Sequence, residues 1–370
     1  MYKALDLWLP AYLRQRRPPA VEGMTDFLLC VCDHFEPFHA TDKPGALARL
    51  ELWQREFPKL IQPFQDADGI HPRHTFFYPI EQYSADVLAA LAELCRRCQG
   101  EVEIHLHHDR DTAEHLRETL GRGQRDLAQH GLLARDAAGQ VRYGFVHGNW
   151  ALDNSHPDGR HCGVTNELSV LQETGCYADF TMPSAPDPTQ TRIINRLYYA
   201  RGGSTPKAHD SGIPARVKPA ASVQTVAAGG SARDQNGLLL VQGPLGLNWE
   251  RRKFGVLPRI ENGDLTGNNP PSLDRMRVWQ RLGIHVAGRP EWVFIKLHTH
   301  GAVPENSGML LGEPMRQFHQ QLLAHYNDRW KYRLHYVSAR ELVNILHAAE
   351  DGHNGNPGDF RDYRYRLAGG

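Results

Sequence analysis

Cysteine is scarce, with six residues in a chain of 370. That is too sparse for the paired framework of a disulfide-built secreted domain. Cys95 and Cys98 form a C-x-x-C pair, but it falls late in a helical pattern and has no second pair at zinc-finger spacing, so it reads as packing. Net charge is missing too. Lys+Arg and Asp+Glu both number 42 and cancel, which leaves no basic stripe to displace counterions from a nucleic acid. No apolar run approaches the roughly 18 residues that span a bilayer. The opening stretch MYKALDLWLPAYLRQRRPP lacks the charged, apolar, small-residue order of a signal peptide. These absences predict a soluble, cytoplasmic protein with no nucleic-acid partner and no membrane insertion. What the chain has in abundance is histidine, at 21 residues, many of them at the ends of apolar runs.

Those runs alternate with amphipathic stretches. DFLLCVCD (26–33), HTFFYP (74–79), VEIHL (102–106), RYGFVHG (142–148) and YADFTMP (177–183) have strand length and little alternation. Between them lie 46–57, 84–98, 112–131 and 165–175, with apolar positions three and four apart, as on a helix with one buried stripe. Thr165 reads as a cap, and Gly131 and Gly175 as stops. The order continues with helix 272–283, strand 292–298, helix 314–329, strand 332–338 and helix 338–349. Strands joined by helical crossovers pair in parallel, and strands apolar on both sides lie covered on both sides. About seven such pairs predict an α/β fold closed, or nearly closed, into a barrel. Residues 184–257 dissolve into Pro, Gly, Ser and Ala and read as a long insertion, either a lid or partly disordered, with short strands such as 238–243. The expected organisation is one barrel domain over 1–350 and a C-terminal surface extension over 351–370.

In a parallel α/β sheet the site forms outside the carboxyl ends of the strands. The polar residues collected there are CDHFEP (32–37), Glu81, HLHHDRD (105–111), HGNW (147–150), Asp179 and HTHG (298–301). Imidazole and carboxylate are nitrogen and oxygen donors, and their return to one rim from distant segments predicts a divalent-metal site. His107 ends a strand and Asp111 falls in the first helical turn. A spacing of four puts both on one helical face, able to share an ion. Asp33 or His34 completes a facial set with positions left open for water and substrate. His105 and His108 read as residues making ordinary hydrogen bonds.

The stretch TFFYPIEQYSADVLAALAELCRRCQGEVEIHLHHDRD (75–111) resembles the middle of the polysaccharide deacetylase family, the NodB-homology carbohydrate esterases. There a TFF strand, a helix and an E-I/V-G-x-H strand lead into an H-x-x-x-H metal motif. Here Glu103-Ile104-His105-Leu106-His107 takes the strand's place, and Asp111 stands where the second histidine would. The family's paired aspartates correspond to CVCDHFEP (30–37), and its last apolar strand to FIKLH (294–298). The likeness spans 26–181 and 290–345. It implies a distorted (β/α)7 barrel, here carrying the long insertion, and a metal, with zinc foremost. The chain departs from the pattern in having one aspartate at the paired position. Read as Asp33-His34, the pair supplies Asp33 as base and His34 as ligand, with Glu36 as a fallback base. The family's arginine after the fourth strand is missing, leaving His147, Asn149 or Trp150 for that part.

The resemblance implies a metal-dependent hydrolase that removes an N- or O-linked acetyl group from a carbohydrate or glycan precursor in polysaccharide biosynthesis. The site set is then Asp33 and His298 as catalytic residues, with His300 competing for the acid's role, and His34, His107 and Asp111 on the metal. Trp150, Asn149 and Asp179 face the substrate. Tyr83 and Trp249 could also stack on sugar rings, and Arg251, Arg252 and Lys253 could meet an anionic group. Three other readings compete: a glycoside hydrolase working through Asp33, Glu36 and Glu81, an amidohydrolase or phosphoesterase using the H-x-H pairs at 105/107 and 298/300, and a sugar-binding relative without activity.

Overall fold

The computed structural model describes residues 2–219 and 237–367. Part of the expected insertion (220–236) and the last three residues of the expected extension lie outside them. Nine strands form the frame: β1 (Thr25–His34), β2 (Thr75–Pro79), β3 (Glu101–Leu106), β4 (Val141–His147), β5 (Cys176–Asp179), β6 (Leu197–Ala200), β7 (Leu238–Val241), β8 (Trp292–Thr299) and β9 (Tyr332–Tyr336). They are ordered β8-β1-β2-β3-β4-β5-β7-β6, with β9 beside the first half of β1. Every neighbouring pair is parallel except β7–β6. The helices used below are α1 (Lys43–Ile61), α2 (Ala85–Cys98), α3 (Ala113–Gln129), α4 (Glu167–Glu173), α5 (Leu273–Leu282), α6 (Glu313–Tyr326) and α7 (Ala339–Glu350).

The local signals act as their chemistry requires. Asp42 accepts the Gly45 N–H to open α1, with Pro44 in the first turn. Thr112 accepts from His115 to open α3. Ser338 and Glu341 form a reciprocal capping box on α7. α4 starts later than its sequence pattern, on Asn166 rather than Thr165.

β1 shows why the central strands carry apolar runs without alternation. Phe27, Leu29 and Val31 pack on one side among residues of α1, α2 and α6, while Leu28, Cys30 and Cys32 pack on the other among residues of α7. The fold is thus a mixed α/β one with a mostly parallel central sheet. A closed barrel is not what the ladder shows: the strand order is an open path, and no pairing among the described residues joins its ends. The expected helix 338–349 is α7: every residue of it is buried, and its apolar side chains pack on the sheet's second side.

The C-terminal segment also packs. Arg361 reaches the Tyr336 carbonyl, Asp66 and Asp68, and Arg366–Leu367 pairs with Ala134–Arg135. Within the 184–257 stretch, β6 and β7 join the main sheet, and Gly246–Lys253 pairs with Leu257–Glu261 in a separate hairpin.

His319 on α6 lies buried against Phe64 and Tyr336, its Nδ1 2.9 Å from the Tyr336 hydroxyl. Burial pushes its pKa down to about 3. A histidine lowered by folding stabilises above its unfolded pKa and loses that stability as pH falls towards the folded value. Urea unfolding of wild type and His319→Phe at about pH 7 and about pH 5 is expected to show the wild type losing roughly 1–2 kcal/mol more than the variant. Parallel losses would remove His319 from the acid response.

Candidate metal centre at the strand ends

Five histidines gather at the carboxyl ends of β1, β3 and β8. The His34 ring centre lies 5.1 Å from that of His105, 6.1 Å from His298 and 4.8 Å from His300. His105 and His107 are 4.5 Å apart, ring to ring. Strand geometry explains the set: residues two apart face the same way, so His105/His107 and His298/His300 each present a pair to the rim.

Glu36, in the loop after β1, supplies the carboxylate. Its Oε1 lies 3.3 Å from His105 Nε2 and 3.6 Å from His107 Nε2. Burial pushes the Glu36 carboxyl up, but the two imidazoles outweigh this and hold it down at about 2. Each of those rings has already committed its other nitrogen. His105 Nδ1 donates to the Val146 carbonyl at 2.9 Å, and His107 Nδ1 donates to Glu81 at 2.7 Å. Both therefore turn Nε2 towards Glu36, in the pattern by which an outer partner fixes a metal-binding histidine. Buried nitrogens without a hydrogen-bond partner accompany them, namely His34 Nε2, His105 Nε2 (close to Glu36 but poorly directed at it) and His298 Nδ1. Such atoms are costly to bury unless something claims them. The donor types, the orienting partners and these orphaned nitrogens fit a divalent ion. Glu36, His105 and His107 are one of three groups among the described residues with donors close enough to hold one.

Asp33 is fully buried. Its Oδ2 accepts from His74 at 2.8 Å and its Oδ1 from the Gly301 N–H at 2.6 Å. A glycine is needed there, since a β-carbon on residue 301 would stand 2.1 Å from Asp33 Oδ2. Asp111 does not meet His107. Its oxygens take His108, His115 and the Thr112 N–H. The four-residue spacing gives no shared face because 107–112 is not helical: β3 stops at Leu106, α3 starts at Ala113, and Arg110 sits at φ +50°.

His298 is buried, and burial, then Lys296 and His300, lower its pKa well below the usual histidine range. Trp150 lies edge-on to His300, ring centres 6.2 Å apart. Asn149 precedes it, exposed and left-handed at φ +53°. Asp179 is buried on Thr181, accepting both its N–H and its hydroxyl. Tyr83 and Trp249 are exposed, and Arg251 pairs with Asp274 at 3.0 Å. In the deacetylase reading of the sequence Glu36 was a fallback base and His105 made only ordinary hydrogen bonds; His105 had a metal-site part only in the competing H-x-H reading. The H-x-H periodicity was the signal for His105. None existed for His74, which no spacing ties to Asp33.

No protein-family model and no curated protein matches the chain. Among solved structures, a Mycobacterium smegmatis chain provisionally described as a polysaccharide deacetylase is similar over 90% of this chain and 93% of its own, at 11% identity and a TM-score of 0.42. No helix among the described residues is long and apolar enough to cross a membrane.

Proposed function

We propose that the chain is a metal-dependent hydrolase that removes an acetyl group from a carbohydrate or glycan precursor of polysaccharide biosynthesis. The observation that carries this reading is the convergence of His105 Nε2 and His107 Nε2 on Glu36, with each ring's other nitrogen already bonded. Two imidazoles and a carboxylate leave coordination positions open, as hydrolytic centres require. In this reading Glu36, His105 and His107 hold the ion, zinc first among candidates, with His34 beside them. Asp111 is set aside because its oxygens are spent on other groups. When bound, zinc would supply an acidified water and polarise the scissile carbonyl.

The chain's own residues supply the rest. Glu81 holds the His107 ring in place. Asp33, with both oxygens occupied, ties His74 to the loop at Gly301. Burial, then the neighbouring rings of His300, His105 and His298, lower the His34 pKa well below the usual range. In this reading His298 or His300, whose rings lie 6.1 and 4.8 Å from that of His34, donates a proton to the leaving sugar. In this reading Trp150, edge-on to His300, and the exposed Asn149 before it face the substrate, and Asp179 supports that loop through Thr181, whose hydroxyl accepts the His147 N–H. Six unpaired cysteines accord with work in the reducing cytoplasm.

The test is product analysis. Zinc-loaded protein is incubated with N- and O-acetylated sugar precursors, and acetate, free sugar and phosphate are all measured. Acetate release that a chelator stops and zinc restores is the expected result. Free sugar or phosphate instead would move the chain to another hydrolase class, and failure to retain any ion would leave only sugar binding.

A further inference from the structure

A second group of donors lies behind the rim. His108 follows β3, His147 ends β4, Cys162 sits in the irregular loop beyond it, and Glu167 is the first residue of α4. All four side chains are buried. Their donor atoms lie within 4.8 Å of one another. His108 Nε2 is 2.9 Å from His147 Nε2 and 3.0 Å from Glu167 Oε1, His147 Nε2 is 3.5 Å from the same oxygen, and Cys162 Sγ is 3.5 Å from Glu167 Oε2. Bonds of about 2.0–2.3 Å from a tetrahedral zinc place its ligands roughly 3.2–3.8 Å apart. We propose that these four side chains form a closed structural zinc site, separate from the rim centre.

The proton positions argue for it. The ring nitrogen of His147 nearest the chain, Nδ1, faces the Gly148 carbonyl, which can only accept, so Nδ1 carries the proton. His108 Nδ1 likewise donates to Asp111. With Nδ1 committed on both rings, His108 Nε2 and His147 Nε2 face each other and Glu167 Oε1, an arrangement that needs positive charge between them, either an ion or a proton on His108. One ring fixed by a carboxylate and the other by a backbone carbonyl is the outer-partner arrangement of zinc-binding histidines. The Val164 N–H donates to Cys162 Sγ at 3.4 Å, and the thiol in turn points at the Val164 carbonyl and at Glu167 Oε2, so an ion would take the place of its proton. The Asp153 N–H donates to Glu167 Oε2 at 2.6 Å and holds that carboxylate in place.

Such a site has something to hold. Between His147 and Glu167 the chain makes only two short 3-10 turns, and Asn149, Trp150, Asp153, Asn154 and His161 are all left-handed. This segment lacks a ladder of its own, yet it carries Trp150 to the rim. Four protein ligands and no solvent access mark a structural centre rather than a catalytic one.

Cobalt substitution tests this on the unmodified chain, because only the second group contains sulfur. Cobalt(II)-loaded wild type should show a thiolate-to-cobalt charge-transfer band and bind two equivalents of metal. Cys162→Ser should lose the band and one equivalent and melt at a lower temperature. His107→Ala should lose the other equivalent and keep the band. One ion lost only on Cys162→Ser would uphold this site and sink the rim centre. A wild-type chain that binds cobalt without the band overturns the proposal, and leaves His108 as an imidazolium between Asp111 and Glu167.

Discussion

His107→Ala should abolish turnover without unfolding the protein. The side chain is 29% exposed, and its nitrogens meet only Glu36 and Glu81, so the core loses little and stability should change by no more than about 0.5–1 kcal/mol. Catalysis loses far more. Without one of three protein ligands the rim would not keep its ion, and several kcal/mol of charge stabilisation corresponds to a rate loss on the order of 10³-fold. Glu81→Gln separates positioning from ligation. It leaves His107 as a donor but weakens the hold on its ring, and outer-partner changes of this kind cost about 10–100-fold in affinity or rate. Metal content by plasma emission and acetate release would be measured on both variants. A His107→Ala protein that keeps its rim ion, or works at the wild-type rate, would remove the centre from the mechanism. The chemistry would then have to be sought at Asp33 and His74.

The sequence located the rim better than it located the partners within it. Apolar runs ending in imidazole and carboxylate at Asp33, His107 and His298 marked where the strands stop, because strand ends in a parallel sheet all face one side. Partner choice depends on the paths of loops, which spacing does not encode. Glu36, in the loop after β1, reaches His105 on β3 and His107 just beyond it, while Asp111 meets His108 and His115. Arg110 makes that difference: one residue at φ +50° breaks the helical register that a four-residue spacing assumes. Cys162 and Glu167 carried no signal either, since they are five residues apart and meet donors from β3 and β4 only in three dimensions.

The strands were legible for a simpler reason. β3 and β8 are buried along their whole length and β1 from Asp26 onward, so burial writes itself into consecutive residues. Closure was not legible. Counting strand–helix pairs treats every helix as an outer crossover, and α7 has the caps and periodicity of one. It is instead buried on all sides, and the polar residues that made it look amphipathic are paired inside the protein: Arg340 with Glu101, Asn344 with the carbonyls of Arg361 and Tyr365, and Glu350 with the Tyr199 hydroxyl.

That pairing makes Arg340 the position where stability should be most sensitive. Its guanidinium meets both Glu101 oxygens at 2.8–3.2 Å, and its Nη1 also donates to the Arg361 and Tyr365 carbonyls and to Asp362. Glu101 is buried at the start of β3, where burial raises its carboxyl pKa and Arg340 opposes the rise. In Arg340→Met that carboxylate keeps its burial and loses its cation, and breaking a buried pair from one side costs about 3–5 kcal/mol. The same change releases Asp362 and leaves the Arg361 and Tyr365 carbonyls to the Asn344 amide, so the C-terminal segment should become the first site of protease cleavage. The double variant Arg340→Met/Glu101→Leu removes both charges and should recover most of the loss in urea unfolding, because an apolar pair of similar volume often matches a buried ion pair. If the single variant unfolds at the wild-type urea concentration, Glu101 is taking up a proton rather than depending on Arg340. If the double variant is no better than the single, the cost lies in the detached C-terminal segment and not in the stranded carboxylate.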